Sequence, residues 1–568
     1  MQLKNEKYST DMYFAIIGAS IALMPFVYDI YGNTAWGHCF TIASTVVAII
    51  LGVGAVLLTG QKQANVSIAD ILVVMCGIYL AISTVATKND VLATNVILCS
   101  AAYLLGRLTD KRVMALGIGL AGVAQAVLVI AQWVHIIDSN HALFDVTGSF
   151  GNPAQVAGFI VLTLFATVYC TNEAYKAQKR GWTIGGAIAI IIQLVALFAT
   201  SSRAAWVGVI AAIVWAVSAK LRPITRVATL GVICAVAAIG LSQIRSESAL
   251  GRLLIWRASV PMITEAPILG NGHNSFEKNY MFAQADFFAQ NPDSQFAQVA
   301  SNVGYPFNDS LRLLVEQGAV GLILFALLAI ALLWTAKNRE KLWLQCGLLA
   351  FVAYAQFSYP SYITPIMTLA AICAGMLGDG IRSFAIKLDY RIMATAMAIV
   401  AIAVGSTFGF WDQSAEQALL AKTSHNHSAL HHLKHNFGRI SNDRNIFIMY
   451  SDASIAHVHN KSQIPTLKEI IPGCNQICTL AGLHESFGNV DEAKTLLNMA
   501  ANMIPTRLRP QFLLFRLYAN SDEHDEALKL AHTIVSAEPK IINTQTIKMQ
   551  VEAKQYIKSH IGNDNPIK

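Results

Sequence analysis

The side chains best suited to chemistry are concentrated in one polar stretch, Leu241–Gly318, set among apolar segments. It carries Gly251-Arg252-Leu253-Leu254-Ile255-Trp256-Arg257 and then Ala266-Pro267-Ile268-Leu269-Gly270-Asn271-Gly272-His273-Asn274-Ser275-Phe276. It ends on Tyr305-Pro306-Phe307-Asn308-Asp309-Ser310-Leu311-Arg312-Leu313-Leu314-Val315-Glu316-Gln317-Gly318, which runs straight into an apolar helix. Arg252 and Arg257 are five apart, so on a helix they point in different directions. Asp309 and Glu316 are two helical turns apart and share a face. Asp309, at the start of its helix, also suits a cap, and Glu316 suits an i,i+4 pair with Arg312. A further arginine, Arg203 in Ser201-Ser202-Arg203-Ala204-Ala205-Trp206, sits at the end of an apolar run. A charge there is costly unless it has a partner or ligand. Arginines, carboxylates and one long loop gathered on one side of a bilayer point to chemistry at that face.

The elements that must position these residues are membrane helices. Hydrophobic residues make up 54% of the chain and charged residues 13%, with a mean hydropathy of +0.48, whereas a soluble domain is about a quarter charged. Apolar stretches of about twenty residues, the length that spans a bilayer, recur up to Trp411. About thirteen spans are predicted. They begin near Met12, His38, Ile68, Val91, Val113, Ala154, Trp182, Ala204, Ile224, Gln317, Leu342, Ser361 and Arg391. The region of Ser358-Tyr359-Pro360 can be divided in more than one way. The first span is too long for a cleaved signal, and no small-residue cleavage site follows it.

Basic residues set the orientation. Alternate connections carry Lys4, Lys7, Lys62, Arg107, Lys111, Arg112, Lys176, Lys179, Arg180, Lys220, Arg222, Arg226, Lys337, Arg339, Lys341, Arg382, Lys387 and Arg391. The other short loops hold little beyond Lys88 and Arg203. The basic side is cytoplasmic, which places the N-terminus inside. An odd number of spans places the C-terminal tail outside, together with Leu241–Gly318 and Asp138–Gln155.

After Trp411 the apolar runs give way to charged residues with leucine and alanine at helical spacing. Asp491-Glu492-Ala493 followed by Pro505 recurs as Asp525-Glu526-Ala527 followed by Pro539, an offset of 34 residues. This resembles the tetratricopeptide repeat, in which a small alanine lets paired helices pack closely and a proline ends the second helix. Such a domain binds a protein partner. The expected architecture is therefore all-α: a polytopic bundle over residues 1–411 with an external loop at 242–317, then a helical repeat domain over 412–568. Most cysteines lie in apolar spans as small hydrophobes. Cys474 and Cys478 are four apart in the tail, a spacing that serves either a disulfide or two unpaired packing thiols. No zinc-ligand spacing is present, and the histidines of His425–His435, including His431-His432, lack a second ligand cluster and read as a solvated helix face. No nucleic-acid partner or cofactor is expected.

Taken in order, four elements resemble the O-antigen ligase superfamily, which also contains bacterial protein O-oligosaccharyltransferases and some polysaccharide polymerases. They are Gly148-Ser149-Phe150-Gly151-Asn152-Pro153, the Ser-Arg-Ala pattern at Ser202–Ala204, Gly-Arg-x-x-x-Trp with its Ala-Pro-x-x-Gly-x-Gly continuation, and Asn-Asp-x-Leu-x-x-x-x-Glu-x-Gly at the start of a helix. The resemblance covers roughly Thr147 to Gly375, and some members carry a C-terminal tetratricopeptide domain. It implies a bacterial inner-membrane enzyme that moves a glycan from a polyprenyl diphosphate carrier to a lipid or protein hydroxyl at the outer face, leaving the tail periplasmic. Without a metal, the leaving diphosphate needs arginines, whose planar forks bind phosphate oxygens bidentately; Arg203, Arg252 and Arg257 are the candidates.

The acceptor side departs from the family. Members commonly have histidine before the asparagine of the last motif, as the residue that activates the acceptor, and Phe307 here cannot accept a proton. Asp309, His273 and Glu316 are the remaining candidate bases, with Asn308 ordering the turn or hydrogen-bonding a sugar. A polysaccharide polymerase is the closest alternative among enzymes. A multispan transporter or flippase and a silent envelope scaffold are alternatives of other classes. A transporter should show Gly/Pro-interrupted spans in symmetry-related halves, and no such internal repeat is visible.

Overall fold

The computed structural model describes residues 2–58, 63–222, 246–333, 341–378, 383–540 and 542–560, with 225, 228–229 and 231–233 between. Eight described helices are long and apolar enough to cross a membrane: Gly37–Leu58, Ile68–Thr87, Asp90–Leu108, Lys111–Trp133, Pro153–Lys176, Arg180–Ala199, Asp309–Leu333 and Arg391–Thr423. Four shorter apolar helices, Ile16–Tyr31, Arg203–Val217, Leu342–Ala355 and Thr364–Gly378, accompany them. The all-α membrane bundle expected from hydropathy is what the chain forms. The span expected from Ile224 lies largely outside the described residues.

Two compact units divide the chain: Met1–Ile244 with Phe307–Glu416, and Arg245–Pro306 with Gln417–Lys568. In the first unit, Pro153–Lys176 is the most enclosed long helix, packing against Lys111–Trp133, Arg180–Ala199 and Leu342–Ala355. Helices without a hydrophobic driving force between them associate through close backbone approach, and two glycines make one such approach. A Cβ on Gly106 would strike the backbone of Ile372, and one on Gly375 the carbonyl of Tyr103, so Asp90–Leu108 and Thr364–Gly378 lie almost backbone to backbone. A short antiparallel ribbon, Gln63–Ser67 with Ser383–Asp389, joins two interhelical links. Hydropathy carried no sign of it, since the pairing is made by backbone groups. At the far end of this unit, the Phe408–Thr423 helix runs on past Trp411. Trp411 is fully buried, stacks edge-on with His38 at 4.4 Å and donates to Asp90 at 3.2 Å.

In the second unit, Cys474–Ser486 pairs with Val490–Met503 and Leu508–Asn520 with His524–Ser536, followed by Thr544–His560. The 34-residue offset of the sequence is an offset in structure as well. Ala493 and Ala527 are both fully buried, and the turns inside the two pairs both have left-handed backbone, at Gly488 and Asp522. Cys474 and Cys478 are free thiols in the core of the first pair, the packing alternative of the two open readings. Residues 245–306 are built into this unit. The Ser275–Gln290 helix lies on Val490–Met503, and buried Gln284 donates to the carbonyls of Met503 at 2.6 Å and Ser301 at 3.2 Å. Arg444 pairs with buried Glu277 at 2.6 Å and lies 4.5 Å over the Tyr305 ring. A run that is a loop by composition is thus held by helix packing and buried polar contacts.

Candidate active site

Asn308, and not Asp309, caps the helix at the acceptor motif. Its side-chain oxygen accepts from the amide of Leu311 at 2.9 Å, and its carbonyl accepts from that of Arg312. Asp309 is thereby released from capping and reaches across the chain. Its carboxylate accepts from the Ser361 hydroxyl at 2.5 Å and the Ser361 amide at 3.2 Å. Arg312 donates to the same hydroxyl at 2.7 Å and to Glu316 at 3.0 Å, and its guanidinium lies 3.9 Å over the Tyr362 ring. Arg312 and Glu316 are both buried. The face shared by Asp309 and Glu316 is therefore one continuous network, Asp309–Ser361–Arg312–Glu316. In low dielectric such a network keeps its geometry only if its members satisfy one another.

This helix breaks where the motif ends. Gly318 takes φ 63° and ψ −169°, a region essentially confined to glycine, and Tyr79 donates to the carbonyl of Gln317 at 2.6 Å across the kink. The polar segment Asp309–Gln317 is thus a separate short helix, of about two and a half turns, set before the apolar span. Just upstream, Phe307 has left-handed backbone (φ 50°) and packs edge-on against Tyr359 at 5.3 Å. A bulky side chain is uncommon in that region, whereas Asn, Asp and His are enriched there.

The Gly148–Pro153 motif has a matching physical account. A buried turn is tolerated only when its backbone polar groups find partners. Two glutamines of the Lys111–Trp133 helix provide them. Gln132 accepts from the amides of Thr147 and Gly148 and donates to the Gly148 carbonyl. Gln125 accepts from the Ser149 amide at 3.1 Å and donates to its hydroxyl at 2.7 Å. Asn152 then caps the Pro153–Lys176 helix. Sequence reasoning passed over Gln125, Gln132, Ser361 and Tyr362. The two glutamines, two turns apart within an apolar run, were the available signal.

The remaining predicted residues are distributed as follows. Arg203, half-buried, is the first residue of the Arg203–Val217 helix in the first unit. Arg252 and Arg257 lie on Ser246–Ala258 in the second unit and do point in different directions. Arg252 is half-buried, while Arg257 is exposed and lies 5.1 Å over the Phe296 ring. His273, half-buried, sits in a turn whose neighbours Gly272 and Asn274 have left-handed backbone. That turn is anchored by Asn271, which donates to the Met262 carbonyl at 2.6 Å, and by Asn274, which donates to that of Asn442 at 2.8 Å.

A polytopic helical membrane protein with a buried arginine–carboxylate network at the head of one span is the class that this fold and site define. Residues 188–326 match the O-antigen ligase family. The matched stretch takes in Arg203, Arg252, Arg257, His273, Asn308 and Asp309. Comparison with curated proteins gave no match.

Proposed function

We propose that this protein moves a glycan from a polyprenyl diphosphate carrier to an acceptor hydroxyl at the outer face of the bacterial inner membrane, without a metal. The observation that carries the reading is that the O-antigen ligase match spans all six candidate residues, including the head of the Asp309–Leu333 helix. In this reading Arg203 and Arg252 hold the diphosphate oxygens through bidentate hydrogen bonds, and Arg257 supplies additional positive charge. The acceptor oxygen bonds to the anomeric carbon. The bond from that carbon to the diphosphate oxygen breaks, and its electron pair leaves with the lipid diphosphate. The acceptor proton passes to the Asp309 carboxylate, positioned by Ser361; His273 is the second candidate base, and Asn308 orders the turn that presents Asp309. Residues 412–568 lie in the periplasm as a tetratricopeptide-type domain that engages a protein partner.

Reconstitution with a lipid-linked oligosaccharide and separate candidate acceptors, followed by mass spectrometry, tests this. The acceptors are a lipid A core, a protein and a second lipid-linked glycan. Transfer to one of them, unaffected by added chelator, is expected, and the productive acceptor distinguishes ligase from protein transferase and polymerase. A donor left intact with all three would sink the reading.

A further inference from the structure

The histidines of the second unit do acquire a second ligand cluster through folding. His425 and His427 flank the start of the His427–His435 helix, and His457 and His459 follow the end of Arg444–Ala456. The fold gathers them into a chain of neighbouring rings, with centroids 5.2 Å apart for His425 and His457, 5.0 Å for His427 and His457, and 5.2 Å for His427 and His459. Imidazoles bound tetrahedrally to one ion at about 2.05 Å have centroids about 5 Å apart. The Nε2 atoms of His427 and His459 are 3.3 Å from each other. That is long for a hydrogen bond between nitrogens, and it equals the spacing of about 3.3 Å between two nitrogens on a tetrahedral zinc.

His457 supplies the independent sign of a ligand. It is 5% exposed, and its Nδ1 donates to the Ala453 carbonyl at 2.7 Å. A carbonyl only accepts, so the neutral ring leaves Nε2 as a bare lone pair, and that buried atom has no hydrogen-bond partner among the described residues. A carbonyl fixing the far nitrogen of an imidazole is the usual support of a metal-bound histidine. The exposed ligands are also held from behind. Asn426 caps the helix that starts at His427 through the amides of Ser428 and Ala429, and the His459 amide donates to Gln463 at 2.8 Å. His425 is turned by left-handed backbone, φ 48°. No three His, Cys, Asp or Glu groups among the described residues form a ready-made site. The preformed part is the His427–His459 pair, with the His457 ring centroid 5.0 Å from that of His427.

We propose that His427, His459 and His457, with His425 as the fourth donor, bind one divalent transition-metal ion of the imidazole-preferring class, Zn²⁺, Cu²⁺ or Ni²⁺, clipping the start of one helix to the end of another within the second unit. This rests on the second unit alone and is independent of the transferase reading. The test uses the full chain without a polyhistidine tag, stripped with chelator in detergent, then titrated calorimetrically with Zn²⁺ and spectroscopically with Co²⁺. One saturable Zn²⁺ per chain is expected, with a higher melting temperature for the loaded protein, because a ligand of the folded state stabilises it by mass action. Both His427→Asn/His459→Asn and His457→Gln should weaken binding tenfold or more, whereas His431→Asn/His435→Asn should not change it. No saturable binding, or equal affinity in His427→Asn/His459→Asn, would overturn the site. Equal affinity in a folded His457→Gln would overturn the three-histidine assignment, and the exposed pair carries the test should that buried variant fail to fold.

Discussion

At the scale of single residues, the departure at Phe307 and the network at Asp309 belong together. Phe307 packs on Tyr359, two residues before the Ser361 that holds Asp309, so the aromatic contact and the carboxylate share one turn. Because Asn308 provides the cap, Asp309→Asn leaves the helix start intact and tests proton transfer. We expect its turnover to fall by about 10²–10⁴ with donor binding retained, and Phe307→His to change little. Turnover within a few-fold of wild type in Asp309→Asn would exclude it as the base, and a dead His273→Ala would then move that role to the Gly270–Asn274 turn. Arg252→Ala and Arg203→Ala should each cost on the order of a hundredfold or more in rate without loss of folded protein. Lysine should rescue only partly, because it lacks the bidentate fork. Near-normal single-turnover rates in either alanine variant would remove that arginine from the site.

At the scale of elements, two breaks in regular structure are set by backbone and burial. Gly318 holds a conformation that a side chain cannot share, so Gly318→Ala should lower stability by about 1–3 kcal/mol. It should also lower transfer more than a glycine-to-alanine change at open Gly77, where a Cβ would meet nothing within 4 Å. Thermal melts in detergent check the first effect, and unchanged melting would show that the kink is not required. In the second unit, Asp443 caps the Arg444–Ala456 helix through the Ile446 amide at 2.9 Å. Burial pushes its carboxyl from 3.8 up to about 6, against the opposing backbone hydrogen bonds. The folded state therefore holds this proton more tightly than the unfolded chain. The stabilisation is complete below pH 4 and is lost as pH rises through 6, by about 2–3 kcal/mol. Asp443→Asn keeps the accepting oxygen and does not titrate, so the melting advantage of wild type over the variant should shrink between pH 4 and pH 7. An advantage that grows over that interval would contradict this account.

At the scale of the whole molecule, the alternation of basic connections predicts an inside N-terminus and an outside tail. An alkaline phosphatase fused after Lys568 should be active, and a cytoplasm-only reporter should be silent there. The opposite pattern would reverse the topology and move the Arg245–Pro306 segment to the cytoplasm. Hydropathy alone located the twelve apolar helices that the structure describes, because a bilayer demands about twenty apolar residues wherever a chain crosses it. Local spacing likewise determined the Arg312–Glu316 pair, the shared face of Asp309 and Glu316, and the 34-residue offset carried by Ala493 and Ala527, since each depends on helical period alone. Other features came only with the tertiary structure. Ser361 reaches Asp309 from 52 positions away, Gln125 and Gln132 satisfy the Gly148 turn, His457 and His459 meet His425 and His427, and residues 245–306 pack into one unit with 417–568. Each depends on which surfaces pack together and on which buried polar group finds a partner. A chain's periodicity records which face of a helix is apolar, but not the neighbour that will cover it.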